Sequence, residues 1–269
     1  MAGSYSGRTG GLVTNLAFSP AKTELPAGFG FRDGPRGTHS SRTMMLDELA
    51  LLAGSGGMAG DIPKRVLEDN VLGKSTSSGR MLSLQRLKEL YSFNAATPIF
   101  LVFAHLAERD PAALPQLALL MAIARDPLLR ASARSVLSLA PGSQLMRDSV
   151  RNAIAAIVGN RMNEAVLDKV ARNAASSWTK TGHLTGRTMK RRAQVRPNPT
   201  AFAFALWLAQ KSGFTGPEIF DNGWIAVLDV EPATAARGLA ERAHAAGLIT
   251  FRRIGDGFEL DTAPLERLN

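Results

Sequence analysis

The chain has 269 residues, no cysteine and a formal net charge of +9 at pH 7. The lack of cysteine excludes disulfide bonds, thiolate metal ligands and thiol catalysis, while an apolar content of 45% is enough to bury the core of one large domain or two smaller ones. The N-terminus lacks the basic and apolar regions of a signal peptide, and the most apolar runs are about half of the ~20 residues that span a bilayer. We therefore expect a cytoplasmic protein without membrane contact.

Residues 1–41 are rich in glycine, serine, threonine and proline and show no sustained period. Segments of this composition rarely build a regular element, so we predict a largely irregular, weakly basic arm. A short apolar stretch at residues 12–18 is the part that we expect to anchor this arm.

Three short helices are predicted from residue 43 to Tyr91. The first is amphipathic and breaks at the glycine-rich residues 54–57. The second has Asp61 as its N-cap, and the third starts in the hydroxyl-rich residues 75–78. Three short helices at this spacing favour a helix-turn-helix.

The middle of the chain repeats one start signal, in which a capping residue precedes a proline. It occurs at Thr97-Pro98, Asp110-Pro111 and Asp126-Pro127. Each pair predicts a helix start, and Pro141-Gly142 then separates this compact middle from the next segment. We thus predict an N-terminal helical domain over residues 42–140 and a C-terminal domain over residues 141–269.

In the C-terminal part a helix followed by a hairpin is predicted twice. Helices over residues 144–158 and 163–181 precede a basic hairpin, and an apolar helix opens at Asn198-Pro199. A last helix, from Glu231-Pro232 to residue 246, precedes a hairpin whose turn is Gly255-Asp256-Gly257. The predicted fold class is mainly α: a helical bundle with helix-turn-helix and winged-helix-like units and two small β-hairpins.

Positive charge is concentrated in one window. Between Lys169 and Pro217 there is no Asp or Glu, whereas Lys and Arg together number nine, so the rest of the chain sums to zero. Charge segregated in this way favours a surface that binds a polyanion.

The helix over residues 163–181 divides into two faces on a 100° wheel. Leu167, Val170, Ala174 and Trp178 share the apolar face. The candidate DNA ligands on the polar face are Lys169, Arg172, Asn173, Ser176 and Lys180. Lys and Arg neutralise phosphates, and Arg, Asn and Ser side chains also reach base edges in a major groove.

The basic hairpin has the composition of a wing that contacts the DNA backbone. Strict alternation sends Lys190, Arg192, Gln194 and Arg196 to one solvated side and leaves Arg191 as the exception. The candidate DNA ligands here are Arg187, Lys190, Arg191, Arg192 and Arg196. The plainer alternative is that helix and ribbon are solvated surface without a ligand.

A second candidate DNA contact lies at the start of the third predicted helix. A helix N-terminus offers N–H donors to a phosphate, and the residues concerned are Lys74, Ser75, Thr76 and Arg80. Helix capping explains the hydroxyl groups equally well.

No motif for catalysis, metal or cofactor emerges. Gly73-Lys74-Ser75 lacks the earlier glycine of a phosphate loop, because Glu68 stands there. The four histidines are far apart in sequence. His105 is expected to be a hydrogen-bonded core residue, and His183, at the mouth of the hairpin, is expected to pack, with phosphate contact as the alternative. No particular serine is nominated as a nucleophile, and we expect neither an enzyme nor a small-molecule substrate.

Several short motifs in linear order resemble the BrxA family of the BREX bacteriophage-exclusion systems. They are VLEDNVLGKS at 66–75, LKELY at 87–91, ARDPLLR at 124–130 and NAASSW at 173–178 before GHL at 182–184. The resemblance covers residues 42–260; each motif has low specificity, so the order is what matters. The glycine-rich arm departs from the family pattern.

The resemblance implies a mostly helical protein with winged-helix-like parts that binds DNA without catalysis and acts beside other BREX components. It also implies a likeness to the NusB antitermination fold, which keeps RNA as an alternative ligand. Our expectation is a double-stranded DNA-binding accessory protein of phage defence. The rival from another class is an interaction scaffold whose basic face docks an acidic protein partner.

Overall fold

The computed structural model describes residues 15–20, 24–58, 60–230, 233–255 and 257–267. Within these ranges the protein is mainly helical, with eleven α-helices and two antiparallel two-stranded sheets. The predicted fold class, mainly α with two small hairpins, is confirmed.

The helices and strands follow one another in this order. The helices of the first half are α1 Leu46–Gly54, α2 Ile62–Leu67, α3 Ser77–Tyr91, α4 Pro98–Arg109, α5 Leu114–Arg125 and α6 Pro127–Leu137. The elements of the second half are α7 Arg147–Val158, α8 Glu164–Lys180, β1 Leu184–Thr185, β2 Arg191–Arg192, α9 Pro199–Lys211, α10 Gly223–Ala226, α11 Ala233–Ala245, β3 Thr250–Ile254 and β4 Gly257–Asp261.

The predicted helix starts at Asp61, Thr97 and Asp126 are confirmed, and Asp61 and Asp126 cap their helices with their side chains, whereas Thr97 accepts no cap hydrogen bond. The predicted start at Glu231-Pro232 lies outside the described residues. The Asp61 carboxylate accepts from the Lys64 N–H, and Asp126 accepts from the Leu128 and Leu129 N–H groups, so each satisfies donors of the first turn. Asp110-Pro111 opens a 3-10 turn that runs into α5. The sequence does not predict the four-residue helix α10, because one turn is too short for a helical pattern to repeat.

The centre of the core is formed by α5 and α9, which pack against each other. Residues 117–124 and 201–209 are all buried, which confirms the prediction that α9 is covered on most sides. In the described ranges no single helix is both long and apolar enough to cross a membrane. One bent pair passes that test by length and composition, Pro111–Arg125 with Pro127–Leu137, which meet at 118°.

The predicted arm is irregular but packed. Its described part contains two 3-10 turns, Ala27–Phe29 and Thr38–Ser40, and Phe31 is only 2% exposed. Part of the predicted anchor, residues 12–14, lies outside the described residues, while the Phe18 ring packs edge-on against Trp224 with centroids 4.9 Å apart. The segment therefore contributes to the core.

The two halves on either side of Pro141-Gly142 share contacts. Helix α6 packs against α7 and α8, and α5 packs against α9. The division into domains at residue 140 stays a prediction. For the site, the important consequence is that α7 and α8 lie side by side, with the β1–β2 hairpin following directly from α8.

Candidate nucleic-acid interface

Helix α8 has the two faces that its sequence predicts. Leu167, Val170, Ala174 and Trp178 are buried, with Trp178 wholly enclosed, and the Asn163 side chain caps the helix by accepting from the Val166 N–H at 2.9 Å. On the opposite side Lys169 and Arg172 are exposed. The apolar face fixes the rotation of α8, so the exposed stripe has a defined direction.

Strand β2 of the hairpin is hydrogen-bonded on both of its edges. The two strands pair Leu184 with Arg192 and Thr185 with Arg191. The other edge of β2 binds the segment before α7, because the Leu145 N–H donates to the Lys190 carbonyl oxygen at 2.8 Å, with two further bonds between residues 142–143 and Arg192. The hairpin therefore lies against the start of α7, and this pairing is why α7 begins at Arg147 instead of the predicted residue 144.

Together α7, α8 and the hairpin enclose a cavity of about 510 Å³, which we call the basic cleft. Its cations are Arg147, Arg172, Arg187 and Lys190; its hydroxyl groups belong to Ser176, Thr179 and Thr188; and its apolar floor consists of Leu145, Val150, Ala171 and Ala175. Four of the residues predicted as DNA ligands, Arg172, Ser176, Arg187 and Lys190, thus meet at one place, and Arg147 from α7 is an addition that the sequence window missed.

Lys190 lies on the inner wall of the basic cleft. Its ammonium donates to Thr179 Oγ1 at 2.7 Å and to the Gly186 carbonyl oxygen at 3.4 Å. Partial burial lowers the pKa of Lys190 below its ordinary value, because desolvation disfavours the charged form. An anion entering the cleft would restore part of that lost solvation.

The outer cations of the cleft have no acidic partner. Across the described part of the chain, Arg147, Arg172 and Arg187 form no ion pair. Further exposed cations are Lys169 on α8, Arg191 on β2 and Arg196 in the segment that follows β2. Positive charge without internal compensation attracts polyanions.

The predicted position of Arg192 on the solvated side of the hairpin is wrong. Its side chain is 5% exposed and forms a buried ion pair with Asp229, which is 6% exposed. The second Asp229 oxygen accepts from the Val195 N–H at 2.8 Å. Since Asp229 lies just after α10, its carboxylate decides which Arg of β2 faces inward, and Arg191 is the exposed one. Arg192 is not available to DNA.

Two further predicted ligands are engaged within the fold. Lys180 is ion-paired with Asp47 of α1, and the Asn173 amide donates to the His39 carbonyl oxygen at 2.9 Å. With Lys211, which pairs with Glu266 at 2.6 Å, and Arg192, three of the nine cations in the acid-free window find acidic partners elsewhere in the chain.

At the second candidate contact, capping is confirmed. Thr76 caps α3 by accepting from the Gly79 N–H at 3.1 Å, and the Lys74 ammonium pairs with Glu48 at 3.0 Å. Ser75 is exposed and Arg80 is half-buried. Phosphate binding by Lys74, Ser75, Thr76 and Arg80 stays a prediction.

A buried network that the sequence did not reveal links Asp126, His39 and Ser177. His39 Nδ1 lies 2.8 Å from Asp126 Oδ2, and His39 Nε2 lies 2.8 Å from Ser177 Oγ. This is the order of a Ser-His-Asp triad. All three side chains are at most 1% exposed, and Ser177 Oγ also accepts from the Met44 N–H at 2.9 Å. A nucleophile needs access to its substrate, so the network is structural and joins the arm to α6 and α8.

Contacts with His39 also favour the charged form of Asp126. Burial by itself would raise the pKa of the Asp126 carboxyl, but the charge of His39 and hydrogen bonds from its ring and backbone N–H lower it below the ordinary value. The carboxylate is therefore ionised and fully hydrogen-bonded inside the protein. The only sequence signal for this residue was its capping position before Pro127.

His183 packs as predicted, next to the hairpin. It is 0% exposed, its Nε2 donates to the Val227 carbonyl oxygen at 2.7 Å, and its ring meets Trp178 edge-on. Burial lowers the pKa of His183 to about 4, against the opposing effect of the Asp229 carboxylate. His105 differs from its prediction: it is half-buried, and its Nε2 has no hydrogen-bond partner in the described ranges.

His183 should make stability depend on pH. The unfolded chain takes up a proton near pH 6.5 and the folded one only near 4, so the unfolded state holds more protons between these values. Stability is therefore complete above about pH 6.5 and falls by roughly 3 kcal/mol as pH drops to about 4. We expect urea unfolding at a series of pH values to show this slope, and His183→Gln to remove it. An identical slope in the variant would contradict the assignment.

The described residues contain no group of three or more His, Asp or Glu that could hold a metal ion. Comparison of the sequence with protein-family models and with curated proteins gave no match.

Proposed function

We propose that the chain binds double-stranded DNA without catalysis, chiefly through phosphates and with modest sequence preference. The observation that carries this proposal is the convergence of cations from α7, α8 and the hairpin at the basic cleft, where none of the outer three has an acidic partner among the described residues. When unpaired Arg and Lys side chains contact phosphates, condensed counterions leave the DNA. This release is the main source of such affinity.

The exposed cations around the cleft would form the contact with the duplex. They come from α7, α8, the hairpin and the segment that follows it, and are Arg147, Lys169, Arg172, Arg187, Arg191 and Arg196. Because α7 and the hairpin flank α8, the helix presents a narrow stripe, which favours backbone contacts over deep insertion into a major groove. Few base contacts imply modest sequence preference.

We further propose that this binding serves a BREX-type phage-defence system in the cytoplasm, in contact with other components of that system. The support is the linear order of short motifs that resemble the BrxA family. RNA is the alternative polyanion, and the rival scaffold role predicts partners that remain bound after nuclease treatment.

The proposal is tested by reversing two unpaired cations. We expect the double variant Arg172→Glu and Arg187→Glu to lose at least about a hundredfold in affinity for a short DNA duplex, because two phosphate contacts become repulsive. The slope of log affinity against log salt should also fall by about 2, one unit per contact. Fluorescence anisotropy at a range of salt concentrations measures both quantities.

The matched control is the double variant Lys88→Glu and Arg242→Glu. These exposed cations lie on α3 and α11, so the net charge changes equally while the cleft stays intact. We expect a far smaller loss from it. Equal losses in the two double variants would mean that net charge and not the cleft governs binding, and tighter binding of an RNA duplex would replace the DNA proposal.

A further inference from the structure

The exposure and the polarity of the residues that line the basic cleft both decrease from its mouth to its floor. Arg147, Arg172 and Arg187 are exposed at the mouth, whereas Lys190 and Ser176 are half-buried on the walls. The floor is apolar and consists of Leu145, Val150, Ala171 and Ala175. A rigid duplex reaches the cations at the mouth but is far too wide to enter.

The inner groups therefore have no role in binding an uninterrupted duplex. In the described part of the chain the Ser176 hydroxyl makes no hydrogen bond, and the Lys190 ammonium donates only to neutral oxygens, those of Thr179 and Gly186. Both can still bind an anionic oxygen. The cavity of about 510 Å³ lies within the usual range for small-ligand sites.

We propose that the basic cleft is a pocket for a single nucleotide. The phosphate is bound by Lys190, Arg172 and the Ser176 hydroxyl, and the nucleoside lies on the apolar floor. An apolar floor beside a cationic wall suits a ligand with one flat, weakly polar part and one anionic part, and inorganic phosphate alone would leave the floor unused. This inference rests on the proposed function in one respect: a phosphorylated strand end is one source of such a nucleotide, and free mononucleotide is the other.

The matched pair Ala175→Leu and Ala165→Leu tests the pocket. Ala175 lines the floor, so leucine there occupies space that the nucleoside needs, while Ala165 is exposed near the start of the same helix and lies outside the cleft. Neither change removes a cation. The variant Thr188→Leu narrows the mouth from an exposed hairpin position and serves as a second filling variant in case Ala175→Leu does not fold.

Isothermal titration with deoxyadenosine 5′-monophosphate, deoxyadenosine and inorganic phosphate gives the direct result. We expect the full chain to bind the monophosphate at least about tenfold more tightly than either fragment, since only it uses both parts of the cleft. Ala175→Leu should lose at least about tenfold and Ala165→Leu should bind as the parent does. No binding of the monophosphate, equal binding of inorganic phosphate, or an unaffected filling variant would overturn the proposal.

Comparing linear and closed circular DNA distinguishes the two sources of the nucleotide, the strand end and the free mononucleotide. It also tests the proposed duplex binding separately. A preference for 5′-phosphorylated linear duplex over a covalently closed circle, lost in Ala175→Leu, identifies strand ends as the source. Monophosphate binding without that preference identifies free nucleotide. Affinity for the closed circle should be the same in Ala175→Leu and the parent, and a parent that fails to bind the circle refutes the proposed duplex binding while the nucleotide result stands on its own.

Discussion

Replacing Arg192 by alanine is expected to lower the free energy of unfolding by about 3–5 kcal/mol, whereas the same change at Arg191 should cost less than about 1 kcal/mol. The two residues are neighbours in β2 and chemically identical, but Arg192 and its partner Asp229 are 5% and 6% exposed. Removing the guanidinium leaves a buried carboxylate without its counter-charge. Arg191 is exposed and only donates to the Gly142 carbonyl oxygen at 3.0 Å.

Urea unfolding of the two single variants measures this difference directly. The pair Arg192→Ala and Asp229→Ala adds a double-mutant cycle, in which the combined variant should be less destabilised than the sum of the single ones because no unpaired charge remains. DNA affinity should show the opposite order, with Arg191→Ala the weaker binder when both proteins are folded. Similar unfolding free energies for Arg191→Ala and Arg192→Ala would show that the ion pair does not hold the hairpin.

The inward position of Arg192 could not be derived from the sequence. A period of 2 predicts that Arg191 and Arg192 face opposite sides, but two arginines give no sign of which one is buried. The answer comes from Asp229, a residue 37 positions later, whose carboxylate needs a buried partner. By contrast, the faces of α8 followed from the sequence, because four apolar residues at helical spacing are a local signal.

The same contrast between local signals and contacts of distant residues explains why the acid-free window is only partly unpaired in the fold. The window from Lys169 to Pro217 contains no acid along the chain, yet in space Asp47 reaches Lys180. Sequence segregation of charge therefore overstates the unpaired charge of the surface. The cations that line the basic cleft without an ion pair among the described residues are Arg172 and Arg187 from the window and Arg147 from outside it.

Likewise, the composition of the arm gives no sign that it packs against the core. Gly37 shows why: a Cβ at this position would lie 2.0 Å from Asp126 Oδ1, so glycine is needed to bring the arm against the start of α6. In the sequence this glycine is one of many in a stretch that resembles a flexible linker. Its significance depends on an aspartate 89 positions later, because that carboxylate binds the neighbouring His39 ring.

Asp126→Ala is expected to destabilise the fold by about 3–5 kcal/mol, more than any ordinary cap loss. The carboxylate is 1% exposed, accepts from the His39 ring and backbone at 2.8 and 2.9 Å, and also caps α6. Alanine would leave the His39 ring and three backbone N–H groups without their acceptor in a region closed to water.

Asp61→Ala is the matched control, because Asp61 caps α2 with the same side chain at an exposed position and binds no histidine. Its loss should cost about 1 kcal/mol, the usual value for a cap. The difference between the two variants then measures what the buried contact with His39 contributes to holding the arm on α6 and α8. Thermal and urea unfolding of both variants give this difference, and equal losses would show that Asp126 acts as a helix cap alone and that the arm is held by its apolar contacts.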